Sequence, residues 1–258
     1  MPIHPTAIVD PAASIAETAD IGPFCVIGAD ARIGERTRLM GHIFVEGPIS
    51  IGSDNVFFPY SSVGVAPQDL KYRGERSETR IGDHNQIREF VTIHRGTQGG
   101  GMLTSIGSHN LISAYAHVAH DVRIGDHAVL SHGATLGGHV EIGDWAVVGA
   151  HSGLHQFCRV GRFAMIGGYS VVTQDVLPFA TTVSTRENKI FGANRVGLER
   201  RQFSDTSIET LQTAFRLLTR SRLNTSQAVE RIRSELPTTA EIEELLQFIA
   251  TSERGFIK

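Results

Sequence analysis

Two histidines three residues apart, with a carboxylate directly after the second, mark the segment best suited to carry chemistry. They are His117, His120 and Asp121, at the end of the stretch Leu111–Asp121. Imidazole has a pKa of about 6.5, which suits acid–base catalysis, and a neighbouring carboxylate would fix its tautomer. Imidazoles on adjacent chain segments could instead bind zinc. Solvated histidines without a role are the third reading, and these residues alone leave all three open.

A strict six-residue period surrounds these histidines. Steps of six from Ile3 to Val63, from Ile81 to Ile93 and from Ile106 to Val172 meet an apolar residue at every position. Neither a helix nor an isolated strand has this period. Three short strands joined by corners would close one triangular coil, with the aliphatic residues inward and stacked on those 18 residues away. The period therefore predicts a mainly β fold, the left-handed parallel β-helix of hexapeptide repeats.

Glycine follows the aliphatic residue in many of these hexads, for example at Gly22, Gly34 and Gly52. We expect these glycines at the corners because glycine adopts positive φ without a Cβ clash. Two breaks in the period predict inserted loops at about residues 64–80 and 95–105 of a β-helical domain that covers residues 1–188. Long loops on a rigid scaffold often carry function.

The remaining residues, 189–258, predict a C-terminal α-helical domain after an irregular stretch that ends near Gln202. Helices that cover an open coil end would protect its unpaired strand edges. We expect one helix to be capped near Ser204 or Asp205, and a later one to open with the capping box Thr238–Glu241. The apolar positions of the three helices are Ile208, Leu211, Phe215 and Leu218, then Val229 and Ile232, then Ile242, Leu245, Leu246 and Ile249.

The hexad phase also predicts where the histidine side chains point. His117 and His120 avoid the inward aliphatic position, so we expect both on the surface. His139 lies 19 residues beyond His120, and His155 lies 16 beyond His139, which is about one coil in each case. We therefore expect these rings to form a ladder along one edge.

Composition excludes several classes of protein. No run of 18 apolar residues occurs, which argues against a membrane span. The first residues carry neither a basic nor an apolar leader segment, which favours a cytoplasmic location. Cys25 and Cys158 match no metal or redox spacing and suit small apolar fillers. The net charge of −3 gives no reason to expect nucleic-acid binding.

The segment from Arg186 to Arg222 is basic, however, with eight basic against four acidic residues. Solvated helix faces would explain this excess. A docking surface for an acidic protein or a phosphate would explain it equally well.

Several motifs together are far more selective than the hexad. With them the chain resembles the UDP-N-acetylglucosamine O-acyltransferases that start lipid A biosynthesis in Gram-negative bacteria, over nearly its whole length. The motifs are Pro67–Tyr72, Val91–Thr97, Ala116–Asp121, Gly138–Val140, His155–Cys158 and Arg200–Arg201.

The resemblance implies an acyltransferase that acts as a homotrimer, with active sites in the clefts between prisms. Acyl carrier protein would deliver a (3R)-hydroxyacyl group on its phosphopantetheine to the sugar 3-hydroxyl, and no other cofactor and no metal would be needed. His120 would be the general base in a direct transfer without a covalent enzyme intermediate. Asp121 would orient His120, and the backbone N–H of Gly138 would hold the oxyanion.

The resemblance also assigns residues that bind substrate. Gln68, Asp69 and Lys71 would meet the sugar nucleotide from the first loop, which could belong to a neighbouring subunit. Gly168 would limit the length of the acyl chain. Arg200 and Arg201 would meet the phosphopantetheine or the acidic carrier. The other substrate residues are His117, His139, His155, Gln156 and Asn194.

The chain departs from the family pattern at five positions near the expected substrate sites, which are His132, Gly133, Arg186, Glu187 and Val196. These departures leave open whether the acceptor is a hydroxyl or an amine. A related sugar-nucleotide N-acyltransferase is therefore the nearest alternative. A zinc-dependent carbonic anhydrase of the γ type is the remote one, and it would hold about one zinc ion per subunit.

Overall fold

A computed structural model describes residues 3–184 and 188–258. Short strands make up most of it, and the two loops divide them into three groups. Before the first loop come β1 (Ile8–Val9), β2 (Ser14–Ile15), β3 (Asp20–Ile21), β4 (Val26–Ile27), β5 (Ala31–Ile33), β6 (Arg38–Leu39), β7 (Phe44–Val45), β8 (Ile49–Ile51), β9 (Val56–Phe57) and β10 (Ser62–Val65). Between the loops lie β11 (Glu78–Ile81), β12 (Gln86–Ile87) and β13 (Thr92–His94).

The third group follows the second loop and consists of β14 (Leu103–Ile106), β15 (Leu111–Ile112), β16 (His117–Val118), β17 (Arg123–Ile124), β18 (Val129–Leu130), β19 (Thr135–Leu136), β20 (Glu141–Ile142), β21 (Val147–Val148), β22 (Gly153–Leu154), β23 (Arg159–Val160), β24 (Met165–Ile166) and β25 (Val171–Val172). Every third strand pairs in parallel, which produces three sheets. Sheet 1 contains β1, sheet 2 contains β2 and sheet 3 contains β3, each with every third strand that follows. The predicted parallel β-helix is confirmed.

The aliphatic residue of each hexad fills the interior. Val118 stacks in register on Leu136, and both are fully buried. Only the first coil, with Ile3, Val9 and Ile15, leaves its aliphatic residues partly exposed. Each Å² of buried apolar surface stabilises the fold by about 25 cal/mol. Because this column runs along the whole prism, it is the main stabilising element.

The reason predicted for the glycines is wrong. Gly22 and Gly34, directly after the aliphatic residue, are not among the residues with positive φ. The left-handed residue comes two positions later and is usually not glycine, as at Tyr60 (φ 66°) and His139 (φ 62°). Glycine is needed because the coils approach closely: a Cβ at Gly22 would lie 2.7 Å from the carbonyl oxygen of Leu39 and closer still to that of Met40.

Side chains of the left-handed residues stack along three edges of the prism. The edge between sheets 1 and 2 (edge 1–2) presents Asp121, His139 and Phe157. The edge between sheets 2 and 3 (edge 2–3) carries a ring stack whose neighbouring centroids are 3.8 to 4.7 Å apart, made of His84, His109, His127 and Trp145. The edge between sheets 3 and 1 (edge 3–1) carries Phe24, His42, Tyr60, Phe90, Tyr115, His151 and Tyr169.

Both loops leave the prism where sheet 1 gives way to sheet 2. The first spans residues 66–77, between β10 and β11. The second spans residues 95–102 and contains a 3₁₀ turn, Gln98–Gly100. Strands β10, β11 and β14 take up the ends of the two segments expected to be loops.

The segment after the last coil is more regular than predicted, so the expectation of an irregular stretch up to Gln202 is wrong. Strands β26 (Ala180–Ser184) and β27 (Asn188–Ala193) form a hairpin, and β26 pairs in parallel with β24 to extend sheet 3. The domain boundary expected at residue 188 falls within this hairpin. A short helix, α1 (Arg195–Arg200), follows it.

Three longer helices complete the described part, α2 (Asp205–Thr219), α3 (Thr225–Glu235) and α4 (Ala240–Ala250). None of the helices within residues 3–184 and 188–258 has the length and apolarity to cross a membrane. Ser204 caps α2 as predicted. The predicted capping box Thr238–Glu241 is wrong by one residue, because Thr239 accepts the N–H of Ile242.

The C-terminal segment covers the end of the coil, as expected. The guanidinium of Arg159 lies 4.5 Å from the ring centroid of Phe248 in α4 and donates to the Phe248 carbonyl at 3.3 Å. Arg159 also pairs with the buried carboxylate of Asp175 at 3.1 Å, and Asp175 bridges in parallel to Phe256. The last strand edge of sheet 2 is thereby hydrogen-bonded rather than exposed.

Two glycines in equivalent hexad positions provide a matched test of the close-approach explanation. A Cβ at Gly28 would lie 3.5 Å from the Val45 carbonyl oxygen, which is ordinary contact. We expect Gly22→Ala to lower the free energy of unfolding by about 1–3 kcal/mol because the neighbouring coil must move. Gly28→Ala should change it by less than about 0.5 kcal/mol. Denaturant unfolding of both variants checks this, and equal effects would contradict the explanation.

Candidate active site

Asp121 forms the buried base of the site on edge 1–2. It follows β16 at a left-handed corner (φ 61°), and its side chain has no exposed surface. Its N–H donates to Thr104 Oγ1 at 2.7 Å. Its carboxylate accepts the N–H of Thr97 at 2.8 Å and the hydroxyl of Thr97 at 2.6 Å. The second loop therefore folds back onto Asp121 and holds both of its oxygens.

His120 rests on this carboxylate, with Nδ1 2.8 Å from Asp121 Oδ2. Burial alone would raise the pKa of Asp121, but the hydrogen bonds from His120 and Thr97 outweigh it and lower that pKa. An ionised carboxylate only accepts hydrogen bonds, so Nδ1 of His120 carries the proton. Nε2 is then free to accept a proton. The His120 side chain is 15% exposed, so solvent and small molecules reach the ring.

Gly138, one coil further on, makes room for the His120 ring. A Cβ at this position would lie 2.7 Å from His120 Nε2. Among the described hydrogen bonds, none uses the N–H of Gly138. Its carbonyl accepts from Phe157 N–H at 3.0 Å. Glycine at this position therefore lets the bare nitrogen of His120 lie against a backbone segment with an unused donor.

His139 lies beside the pair, with Nε2 3.8 Å from Asp121 Oδ2 and its ring edge-on to His120 at 5.2 Å. Burial lowers the pKa of His139; the charge of Asp121 opposes this and that of His120 adds to it. The charges of two residues of the first loop also act on this pKa, since Asp69 raises it and Lys71 lowers it. The structure thus brings His120, Asp121, Gly138, His139 and the first loop together.

His94 was not predicted as a site residue, yet it lies next to the site under the first loop. It is only 3% exposed, its ring is edge-on to His117 at 4.9 Å, and the N–H of Gln68 donates to its Nδ1 at 3.4 Å. His117 in turn lies 2.7 Å, through Nδ1, from Thr92 Oγ1. The expectation that His117 and His120 are on the surface is only partly right, since both are partly buried. The signal for His94 was its place in the motif Val91–Thr97.

Burial lowers the pKa of His94 to about 4, and the neighbouring His117 and His120 contribute to this shift. Burial also lowers the pKa of His117, with a further contribution from His120. Both rings are therefore neutral at neutral pH and provide hydrogen-bonding surface rather than charge.

The predicted ladder of histidine rings is present from His120 to His139, but the next ring along the edge is not that of His155. His139 stacks on Phe157, with ring centroids 4.3 Å apart, while His155 is exposed and its Nδ1 lies 3.1 Å from the carbonyl oxygen of Gln156. Away from the loops, rings on neighbouring coils stack at a spacing of 18 residues, as between His139 and Phe157, and His155 is two positions short of it. Gln156 is exposed beside it.

The remaining predicted residues lie on other edges of the chain. Gly168 is on edge 3–1, next to Tyr169, which stacks on His151 at 5.1 Å. Arg201 covers the ring of Trp145 on edge 2–3 at 4.0 Å, and Arg200 is exposed beside it. Asn194 caps α1 and donates from Nδ2 to the Phe163 carbonyl at 2.9 Å. A single chain does not bring these residues to His120.

The positions that depart from the family pattern are similarly placed. His132 contacts His151 edge-on at 5.2 Å on edge 3–1, and Gly133 has a positive φ of 67° there. Val196 is 57% exposed at the start of α1. Arg186 and Glu187 lie outside the described residues.

The six-residue repeat and the fold are those of the hexapeptide-repeat transferases, which are left-handed β-helices. Comparisons of the chain with known proteins agree with this class. Residues 103–138 match the bacterial transferase hexapeptide model (six repeats), and residues 175–257 match the model for UDP N-acetylglucosamine O-acyltransferase, domain 2. The chain is 46% identical over 256 residues, 99% of each chain, to acyl-(acyl-carrier-protein)–UDP-N-acetylglucosamine O-acyltransferase of Thermodesulfovibrio yellowstonii. The counterpart from Myxococcus xanthus is 44% identical over 99% of each chain.

Solved structures lead to the same family. The enzyme from Acinetobacter baumannii superposes with a TM-score of 0.95 at 41% identity over 99% of each chain. UDP-N-acetylglucosamine acyltransferase from Arabidopsis gives a TM-score of 0.87 at 32% identity, over 99% of this chain and 100% of the other. The chain belongs to the acyl-(acyl-carrier-protein)–UDP-N-acetylglucosamine O-acyltransferase family.

The low pKa of His94 predicts how stability changes with pH. The unfolded ring has a pKa of about 6.5 and the folded ring about 4, so between these values the unfolded chain binds the extra proton. Stability should therefore rise with pH across this window, by roughly 3 kcal/mol from this one group. His94→Gln keeps a polar side chain under Gln68 and should flatten the rise. Denaturant unfolding at a series of pH values measures it, and an unchanged slope would contradict the assignment.

Proposed function

We propose that the chain transfers an acyl group from acyl carrier protein to the 3-hydroxyl of UDP-N-acetylglucosamine, the step that starts lipid A biosynthesis, with His120 as general base. The observation that carries the mechanism is the 2.8 Å contact between His120 Nδ1 and the ionised Asp121, which leaves Nε2 bare. A neutral imidazole held in one tautomer is the arrangement that proton abstraction from a hydroxyl requires. The names of the curated relatives give acyl carrier protein as the acyl donor and UDP-N-acetylglucosamine as the O-acyl acceptor, which supports the proposal.

The proposed reaction has three steps. Nε2 of His120 takes the proton of the sugar hydroxyl as its oxygen attacks the thioester carbonyl carbon. The tetrahedral oxyanion accepts the free N–H of Gly138. Collapse breaks the carbon–sulfur bond, and the imidazolium returns its proton to the departing phosphopantetheine thiolate. Asp121 stabilises the imidazolium throughout, so the transfer needs neither a covalent enzyme intermediate nor a metal.

The side chains around this centre suit the two substrates. The charges of Asp69 and Lys71 on the first loop act on His139, which supports a role for them in holding the sugar nucleotide, and Gln68 anchors that loop to His94. His117 and His139 offer neutral, partly buried rings near His120. Gln156 and His155 are exposed about one coil closer to the C-terminal end of the prism.

A homotrimer would complete the site, because Gly168, Asn194, Arg200 and Arg201 lie on edges other than that of His120. Edge 3–1 and the adjoining face of sheet 1 expose large apolar residues, including Phe24 (55%), Phe44 (41%), Tyr60 (52%), Tyr115 (56%) and Val171 (71%). Several large apolar residues exposed on one side of the prism are typical of a surface that another chain covers. Neighbouring chains would then supply Gly168 from edge 3–1 and the arginines from edge 2–3. The cytoplasmic location remains a prediction.

Replacement of the base tests the mechanism directly. We expect His120→Ala to lower kcat by about 10²–10⁴-fold, because general-base catalysis is worth about that much. His84→Ala removes an exposed ring on edge 2–3 and is the matched control that should retain activity. The assay measures acyl transfer from acyl carrier protein to UDP-N-acetylglucosamine and, in parallel, to its 3-amino analogue. Activity of the His120→Ala protein within a few-fold of wild type would refute His120 as the general base. Faster transfer to the 3-amino analogue would show that the acceptor group is an amine.

The acyl-chain ruler at Gly168 has a separate test. Gly168 is exposed, and a Cβ there would lie 3.2 Å from the Ala150 carbonyl oxygen, so a longer side chain must project away from the prism. Gly168→Met should therefore shift selectivity toward shorter acyl donors while the melting temperature stays close to that of the wild type. Competition between donors of different length measures the shift. Unchanged selectivity would refute the ruler.

A further inference from the structure

Three ligand atoms converge at the proposed catalytic centre. His120 and His139 each offer a ring nitrogen and Asp121 a carboxylate oxygen, and the three atoms lie within 4.8 Å of one another. The two contacts to Asp121 Oδ2 are 2.8 Å from His120 Nδ1 and 3.8 Å from His139 Nε2. Tetrahedral zinc, with bonds of about 2.0–2.2 Å, keeps its ligands roughly 3.4 Å apart. The observed distances bracket that value.

We propose that His120, Asp121 and His139 form an inhibitory site for Zn²⁺, in which the ion replaces the proton between His120 and Asp121. The inference concerns regulation of the catalytic centre and rests on the proposed function for its inhibitory part. The metal-binding part stands on the geometry alone.

The surroundings meet what a zinc site needs. Thr97 donates from both its N–H and its hydroxyl to Asp121, which fixes the carboxylate and keeps it ionised in a position with no exposed surface. Such partners behind a ligand usually contribute 10–100-fold to metal affinity. The side chains of His120 and His139 are 15% and 19% exposed, so the open side of the group can admit water as a fourth ligand. Two imidazoles, one carboxylate and a water are a common set for zinc.

Inhibition follows from the chemistry of the imidazole tautomer. In the active form Nδ1 carries the proton and Nε2 accepts one from the sugar hydroxyl. A zinc ion on Nδ1 needs the lone pair of that nitrogen, so the ring proton moves to Nε2. Nε2 is then a donor and cannot act as a base, and Asp121 is occupied by the ion. One bound ion therefore prevents His120 from acting as a base and Asp121 from stabilising the protonated ring.

Binding is tested first, without reference to activity. Competition between the full-length protein and a chromophoric zinc chelator at pH 7.5 should reveal one saturable site per chain. His139→Gln and Asp121→Asn should each lower its affinity by about tenfold or more, which corresponds to about 1.4 kcal/mol or more. His84→Gln on edge 2–3 is the matched control and should bind as the wild type does. Asp121→Asn removes a buried charge and can disturb folding, whereas His139 is partly exposed, so His139→Gln alone decides the outcome. Wild-type affinity in His139→Gln, or no saturable site, would overturn the proposal.

Inhibition is tested next, by acyl transfer in the same buffer. Zinc at about ten times the measured dissociation constant should lower the rate about tenfold, and EDTA should restore it. The residual activity of His139→Gln should be insensitive to that concentration. A saturated site with an undiminished rate would show that the ion binds without inhibiting. A zinc-free wild-type protein with no transfer activity would overturn the proposed function instead, and the binding result would still stand.

Discussion

Hydrogen bonding between successive coils is the constraint on which everything else in this molecule depends. Each backbone N–H of a strand reaches the carbonyl one coil away, so a feature at one corner recurs at the same place on the next coil. The recurring left-handed residue costs about 1 kcal/mol or more at each non-glycine position. Ring stacking along the edges and the hydrogen bonds of residues such as Asp121 offset that cost. The Asp121 carboxylate thus occupies a position that recurs on every coil, and the proposed mechanism uses it at one coil only.

The two loops could disturb this register because they lengthen the spacing between stacked residues beyond 18. A column of buried polar side chains inside the prism opposes this. Thr37, Asn55, Asn85 and Asn110 are each at most 2% exposed, and they bond to one another and to the backbone of adjacent coils. Asn85 Nδ2, for example, donates to Asn55 Oδ1 at 2.9 Å across the insertion of the first loop. Buried amides whose donors and acceptors are paired resist a slip in register better than aliphatic residues do.

The sequence predicted the fold and the clustering of the candidate site residues because both depend on local spacing. The hexad fixes which side chains point inward, and one short segment contains His117, His120 and Asp121. The sequence could not predict contacts that depend on the path of an insertion, which is why the double hydrogen bond from Thr97 to Asp121 and the burial of His94 under Gln68 were not foreseen. The role of the glycines was misjudged for a related reason. A clash with the next coil depends on the distance between coils, whereas φ preference is a property of one residue.

The residues assigned by resemblance fall into two groups, those that lie near His120 in the same chain and those that do not. His139 and Gly138 join His120 within one chain because a coil separates them. Gly168, Asn194 and Arg200 lie elsewhere on the prism, and nothing in their local sequence specifies which surfaces of two chains meet. A repeat defines the geometry of its own chain very tightly and carries little information about its neighbour.

The contact of Arg201 with Trp145 gives the molecule an intrinsic optical reporter. Trp145 is the single tryptophan of the chain, and it is sandwiched between the His127 ring at 3.8 Å and the guanidinium of Arg201 at 4.0 Å. One of these partners belongs to the prism and the other to the segment that begins the helical region. The emission of that indole therefore responds to the seating of the helices on the coil, and a spectrometer can follow that seating without an attached dye.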